Sequence, residues 1–505
     1  MQRKTKARTA LLCLALAAGT LAGCAPARQT GGPADSAPAQ TGEEAANPLD
    51  DGRLRYLYPV NGSGGGTLLR GDTVVYRAAP SESISLLYAP GADAPAGWQL
   101  GRNEADGARV TEVYGADGAL LWTEPGDWRA SLAEGLLALE PGGFAVDAGP
   151  GGPGGCRLIE LDSGEEIPLP AETSACVPVG GGQVVLTLTA DPGAPGTSGS
   201  DVVVIDLAGG ERSRVENAYA YRAYDEAGPS LYAAAQTHDM ETDVWSNSLY
   251  DFASGEWIEG FDGFCAHNTI CYRVEDGYAV RRLGEAEPLA VYDGRCPYWR
   301  ADAAIVSRDS GSVLVTEEGE LPLLGGFGAY ASNGEEAAFL LDDGRLLFYG
   351  PDGRSEVETD LGALSGQADS WVSVYSVQDG CVLLSVTDAA HPDGHSLIYD
   401  ASGLVYDSAG SGYENMNYLT MGPDGPVYSA SRRGVGGGWI SDVVDSRGQV
   451  LLSGLADVSR GDGLPDGVIA ARRGFERGYM DLDGSWLYSE SIFASLADED
   501  SAYYW

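Results

Sequence analysis

Beyond Lys6 the 505-residue chain contains no lysine. That absence removes Schiff-base catalysis, the Ser-x-x-Lys hydrolases and the lysine of a phosphate-binding loop from the body of the protein. Histidine is nearly as scarce, with four in all: His238, His267, His391 and His395. No His-Glu-x-x-His pair occurs, and "GTSGS" at Gly196–Ser200 fails the nucleophile-elbow pattern at its last position. Long apolar runs are missing too: past the first 23 residues nothing approaches the 18 that a membrane-spanning helix needs. Positive charge is thin, 31 basic against 74 acidic side chains. A field of that sign excludes nucleic-acid binding by phosphate neutralisation and disfavours close docking on anionic lipid.

What is present begins with Arg3, Lys4, Lys6 and Arg8, an apolar run from Thr9 to Leu16, and small residues up to "TLAGC" at Thr20–Cys24. A positive n-region, a short h-region and a cleavage zone predict a secretory signal over residues 1–23. "LAGC" resembles the bacterial lipobox, which implies cleavage before Cys24 and palmitate-type acylation of it, hence a lipoprotein on the extracytoplasmic face of a bacterial cell membrane. Two or more acyl chains supply the stable anchoring that one chain does not. Cleavage removes four basic residues and no acidic one, leaving 27 basic against 74 acidic side chains, a net of −47. Residues 24–52 carry almost no bulky apolar side chains, cannot bury a core, and read as a disordered tether reaching roughly 25–30 Å.

Six cysteines follow: Cys156, Cys176, Cys265, Cys271, Cys296 and Cys381. In an exported chain an even number permits disulfides, and Cys265 and Cys271, flanking "AHNTI", are the candidate pair to close a hairpin. Cys265, His267 and Cys271 as metal ligands would lack a fourth member and a standard spacing. Cys381 in "GCVLLSV" reads as a buried strand thiol.

The organising feature is a repeat. Apolar–turn–apolar units surround Gly118, Gly164, Gly210, Gly255, Gly353, Gly403, Gly448 and Gly484, at intervals of 46, 46, 45, 98, 50, 45 and 36 residues. The interval of 98 reads as about two periods, with further hairpin-like units near Gly284 and Gly319. Glycine after Asp, Ser, Ala or Gly, between β-branched, aromatic and leucine residues, is hairpin chemistry. "QVVLTLT", "SLYAAAQT", "CVLLSVT", "PVYSASR" and "GVIAAR" supply a further strand ahead of several hairpins. Four strands per unit of about 45 residues cannot bury two faces alone, whereas a ring of such sheets can. The pattern predicts an all-β chain: a single β-propeller of about eight four-stranded blades (seven to nine) over residues 53–495, with a tail at 496–505. The chain resembles β-propeller lipoproteins of the bacterial envelope, and "GYMDLDGSWLY" near its end is similar to a WG-type repeat, although WD and kelch signatures are missing. Asp481 and Asp483 in that last unit read as the mouth of a hairpin, with calcium as the competing assignment; no other cofactor is expected.

Candidate chemistry is sparse. "SRDSGSVL" (Ser307–Leu314) approximates the Asp-box of sialidase-like propellers, a structural turn in any case. A sialidase would also need three converging arginines. Arg281–Arg282, Arg432–Arg433 and Arg472–Arg473 are available, but adjacent strand residues face opposite ways. His391 and His395 lie beside Asp388 and Asp393, but Pro392 and Gly394 exclude the helix on which an i, i+4 ligand pair would stand, so the segment reads as a solvated loop. Tyr219, Tyr221 and Tyr224 read as strand packing. The leading reading is a non-catalytic recognition or assembly module for a protein or glycan of the envelope; the competing one is a sialidase-like hydrolase or lyase acting on glycans. Binding residues are expected on four variable segments between second and third strands, Ala190–Asp201, His238–Asn247, Asp388–His395 and Arg433–Trp439. They carry His238, Asp243, Trp245, His391, His395 and Trp439.

Mass spectrometry of the membrane fraction should find a mature N-terminus at acylated Cys24, and Cys24→Ser should release the protein from the membrane. A soluble product starting elsewhere would remove the anchor.

Overall fold

The computed structural model describes residues 47–492 apart from 60–64, 90–91, 93, 143–154, 190–199, 225–230, 240–241, 252–253, 325, 352, 365–366, 368, 435–436 and 462; side chains of residues 219–233 and 326–327 also lie outside the described set. The expected signal, Cys24, most of the tether and the tail fall outside it.

The described chain is all-β, with three short 3-10 turns and no α-helix. Ten antiparallel sheets follow one another, each a meander in chain order: sheet 1 (54–77), sheet 2 (83–125), sheet 3 (128–167), sheet 4 (173–259), sheet 5 (261–292), sheet 6 (295–322), sheet 7 (330–358), sheet 8 (371–407), sheet 9 (415–455) and sheet 10 (457–491). Eight have four strands; sheet 1 has three and sheet 4 has seven. Middle strands are the most covered, and Ala337–Leu340 is apolar and buried at every position. Several fourth strands carry charge instead, although Ala290–Tyr292 and Val450–Leu455 carry none. Gly353–Glu358 exposes every residue but Val357, which keeps the open edge from pairing with another chain.

The eight repeat glycines all stand at the third-to-fourth strand connection of their unit, at φ between +70° and +125°. The same hydrogen bonds recur: Gly448 N–H donates to Asp445 O (3.0 Å) and Asp445 N–H to Gln449 O (3.0 Å). Gly484 and Asp481 repeat the pattern at 3.1 Å, and Gly118 and Gly115 at 2.9 Å. At Gly448 a Cβ would also lie 2.1 Å from the Tyr406 ring of the preceding sheet. The 98-residue interval differs from expectation, because Gly284 and Gly319 each belong to a sheet of their own and the interval covers three steps. Strands of three to six residues in sheets 5 and 6 contract the period there.

Sheet 4 joins two units through one strand. In Gly210–Tyr224, residues from Gly210 to Ala218 pair with Ser200–Asp206, and those from Ala218 to Tyr224 pair with Leu231–Asp239. Sheets 6 and 7 are joined by a short backbone bridge, Leu324 N–H to Leu340 O and Asp342 N–H to Pro322 O (both 3.0 Å); side-chain packing adds to the contact between sheets. The largest shared core runs from Ile305 of sheet 6 through Phe339 and Leu347 of sheet 7 to Val382 and Leu384 of sheet 8. Consecutive hairpins alternate ends, so within each four-stranded sheet the first-to-second and third-to-fourth connections share one end and the second-to-third connection lies at the other.

The last sheet closes on the first. Leu57 and Leu69 pack with Val468 and Tyr479. Beside them Arg477, 4% exposed, donates to Glu490 Oε1 (2.8 and 3.0 Å) and to the Tyr58 carbonyl (2.7 Å). Glu490 also accepts from Thr67 (2.8 Å), Arg77 (3.2 Å) and Tyr488 (2.8 Å). Arg55 donates to the Gly463 carbonyl (3.1 Å). The result is a β-propeller, closed through side chains between sheets 10 and 1. No helix among the described residues is long and apolar enough to cross a membrane.

Burial by itself would raise the Glu490 carboxyl, but hydrogen bonds from Tyr488, Thr67 and Arg477 outweigh it and hold the group below the ordinary glutamate value. Its contribution is therefore present above that ordinary value and is lost as pH falls through the depressed one. Glu490→Gln should cost about 3–5 kcal/mol by stranding Arg477, read by urea unfolding at neutral pH. The difference from wild type should shrink on acidification below pH of about 4.

Candidate functional site

Asp481 and Asp483 belong to the hairpin. Asp481 Oδ1 accepts from the backbone N–H of Asp483 (3.2 Å) and Ser485 (2.9 Å), and Asp483 Oδ1 accepts from the same Ser485 N–H (2.9 Å). Burial, with the neighbouring Asp483 carboxylate, pushes Asp481 up, while Ser485 holds Asp483 down. Both carboxylates are occupied in tying the turn together.

The other expected residues separate into three places. In sheet 4 the segment read as a loop from His238 to Asn247 is mostly strand, since His238 pairs with Trp245 and Asp239 with Val244. Cross-strand pairing stacks the His238 ring on Trp245, with centroids 4.1 Å apart and planes at 10°, and Asp243 lies 2.9 Å from His238 Nε2. Asp243 sits at φ +56°, a left-handed turn position that Asp tolerates. Trp245 remains 51% exposed. Trp439, 47% exposed, begins the third strand of sheet 9 under the Arg433 guanidinium, 4.8 Å from its ring centroid. Sheets 5 to 7 intervene between the His238 cluster and sheet 8, so the loops share a position in the repeat but not a single patch. Ala190–Asp201 lies almost wholly outside the described residues, as do the side chains of Tyr219, Tyr221 and Tyr224.

In sheet 8 the connection from Asp388 to Gly394 is a compact double turn. His391 N–H bonds the Asp388 carbonyl (3.2 Å), Gly394 N–H bonds the His391 carbonyl (3.0 Å), and Gly394 takes φ +82°. Asp388 Oδ1 accepts from the backbone of Ala390 (2.8 Å) and His391 (2.7 Å), which holds its carboxyl below the usual range, and it lies 3.2 Å from His391 Nδ1. The His391 and His395 rings are 4.4 Å apart. His395 is buried, and burial pushes its imidazole below the ordinary value, toward the neutral form. Pro392 and Gly394 do exclude a helix, as the sequence indicates, but the turn they make brings together what a helix would have.

The arginine pairs do not converge. Arg281 faces Asp251 (3.3 Å) and Arg282 faces Glu285 (3.0 Å) in sheet 5, Arg432 is bound by Asp442 in sheet 9, and Arg472–Arg473 stand in sheet 10. The Asp-box-like segment is a tight second-to-third turn in which Ser307 and Ser312 hydroxyls meet at 2.9 Å. Cys265 and Cys271, the expected hairpin disulfide, stand as free buried thiols. The register explains this: Gly263 opposes Cys271, and Cys265 falls in the irregularity between the Phe264 and Ala266 pairings.

A cleft of ≈ 1030 Å³ was not foreseen. It opens at the end that carries the first-to-second turns, across sheets 5 to 8, where Trp299, Tyr298, Tyr330 and Tyr375 share its walls with Arg300 and Arg282. Tyr298 packs against Tyr330 (5.9 Å) and edge-on to Phe339 (5.3 Å), which fixes two of the rings. Arg300 is held by Asp302 at 2.7 Å. The only sequence signal was aromatic residues beside first-strand ends, in "CPYWRADA" and "YASNGE".

Residues 330–499, sheets 7 to 10, match a family model described as a domain of unknown function (DUF5046). No curated protein matches the sequence. Among solved structures the chain is similar to a eukaryotic initiation factor (9% identity, TM-score 0.36, covering 87% of this chain and 96% of that one). It is also similar to BamB from Moraxella catarrhalis (10%, 0.25, 70% and 95%). A third likeness is to the β-propeller domain of the Trilobed protease from Pyrococcus furiosus (8%, 0.25, 63% and 96%).

Asp481→Ala should lower stability by about 1–2 kcal/mol through two lost backbone bonds, and millimolar calcium should leave the wild-type melting temperature unchanged. A calcium-dependent rise lost in that variant would make the pair a metal site.

Proposed function

We propose that this chain is a lipid-anchored, extracytoplasmic recognition module that holds a neutral glycan of the cell envelope in the cleft across sheets 5 to 8. The observation carrying this reading is the cleft lining: aromatic rings from four consecutive sheets around a space large enough for several sugar units. Aromatic faces suit the C–H faces of pyranose rings, while tyrosine and tryptophan edges and backbone groups supply hydrogen bonds to hydroxyls. Charge favours a neutral ligand over an anionic one. Arg300 and Arg282 are each paired with an acid, and the chain as a whole carries a net charge of −43. Asp302 is committed to Arg300, which leaves it unsuited to act as a free nucleophile or base; Glu335 is the other carboxylate of the lining.

Calorimetry with neutral and acidic oligosaccharides should find binding among the neutral ones. Tyr330→Ala and Tyr375→Ala should each weaken it by about tenfold, roughly 1.4 kcal/mol. Wild-type affinity in both variants, or release of reducing ends from a bound oligosaccharide, would overturn the reading.

A further inference from the structure

We propose that Asp388, His391 and His395 form a binding site for a divalent transition-metal cation, zinc by chemistry, at the opposite end of the ring from the cleft. One ligand atom from each of the three lies within 4.8 Å of the others. Zinc bonds of about 2.0–2.2 Å place neighbouring ligand atoms about 3–3.5 Å apart. The closure needed is small, and the residues that would make it are the ones free to move: Asp388 and His391 are partly exposed, on a turn, whereas His395 is fixed in a strand opposite Val386.

A second observation is independent of the clustering. The His395 side chain is only 8% exposed, and its Nδ1 is buried with no hydrogen-bond partner among the described residues. Buried ring nitrogens without a partner are rare, because desolvation is then uncompensated. Asp407 Oδ1 lies 3.9 Å from Nε2 of the same ring. A slight approach would let that carboxylate accept the Nε2 proton, leaving the lone pair on Nδ1, the arrangement by which outer carboxylates orient metal-binding histidines. Two imidazoles and one carboxylate are a donor set for zinc and its neighbours rather than for calcium or magnesium, which take mostly oxygen. Three protein ligands would leave at least one position for water or an oxygen of a bound partner.

The full chain in detergent, without a polyhistidine tag, should be stripped with EDTA, dialysed against zinc alone and assayed by mass spectrometry for bound metal. The expected result is one zinc per chain, falling to background in His391→Ala and in Asp388→Asn. Asp407→Asn should weaken binding about 10–100-fold. His391 is half-exposed, so its variant keeps the fold, checked by circular dichroism, and His238→Ala should bind as wild type does. Absence of stoichiometric zinc from the wild type would overturn the site, leaving a hydrogen-bonded His391–Asp388 clasp tilted against His395. So would wild-type affinity in either His391→Ala or Asp388→Asn.

Discussion

Glu490 sits where the last sheet meets the first, and the packing of every other sheet depends on that junction staying shut. Each sheet has two apolar faces and covers one of each neighbour's; an opened ring would expose two faces together. The junction is built from a buried carboxylate that receives Arg477, Thr67, Tyr488 and Arg77 at once. Its cross-ring partners lie more than 400 residues apart in the chain, as Thr67 and Glu490 do. Local hairpins can form early, but loop-closure entropy makes this contact available only when the intervening sheets have already stacked.

Closing the ring with side chains leaves the ends of the strands for chemistry. The walls are apolar inside, and the outer strands range from the acidic Gly353–Glu358 to the uncharged Val450–Leu455. Difference is concentrated at the turns: aromatic rings and paired arginines at one end, histidine and tryptophan at the other. A rigid scaffold with variable ends is the usual way a repeat fold separates stability from recognition.

How much of this was legible in the sequence follows from how local each feature is. The Asp481–Gly484 turn was readable because every atom that satisfies it lies within four residues. Strand content and the meander were readable from apolar runs such as "AAFL" against charged ones such as "GRSEVE". The number of units between Gly255 and Gly353 was under-read because short strands compress the period, and a count of intervals assumes a constant one. The Cys265–Cys271 pair depended on register, which a single irregular residue shifts. His391 and His395 are four apart without a helix, and the turn through Pro392 and Gly394 brings their rings to 4.4 Å, a closeness that no helical spacing rule signals. The cleft was beyond reach: its lining comes from four sheets, and only the completed ring makes them neighbours.

Gly210–Tyr224 has a mechanical consequence. Between sheets 6 and 7 the backbone link is a single bridge, Leu323 with Leu341, far shorter than a ladder. Within sheet 4 the two units share one continuous backbone strand, with Ala218 paired to Ser200 on one side and Thr237 on the other. Neither half can peel away without stripping its partner's edge. The two therefore open as one block, and the ring has a stiff double segment there.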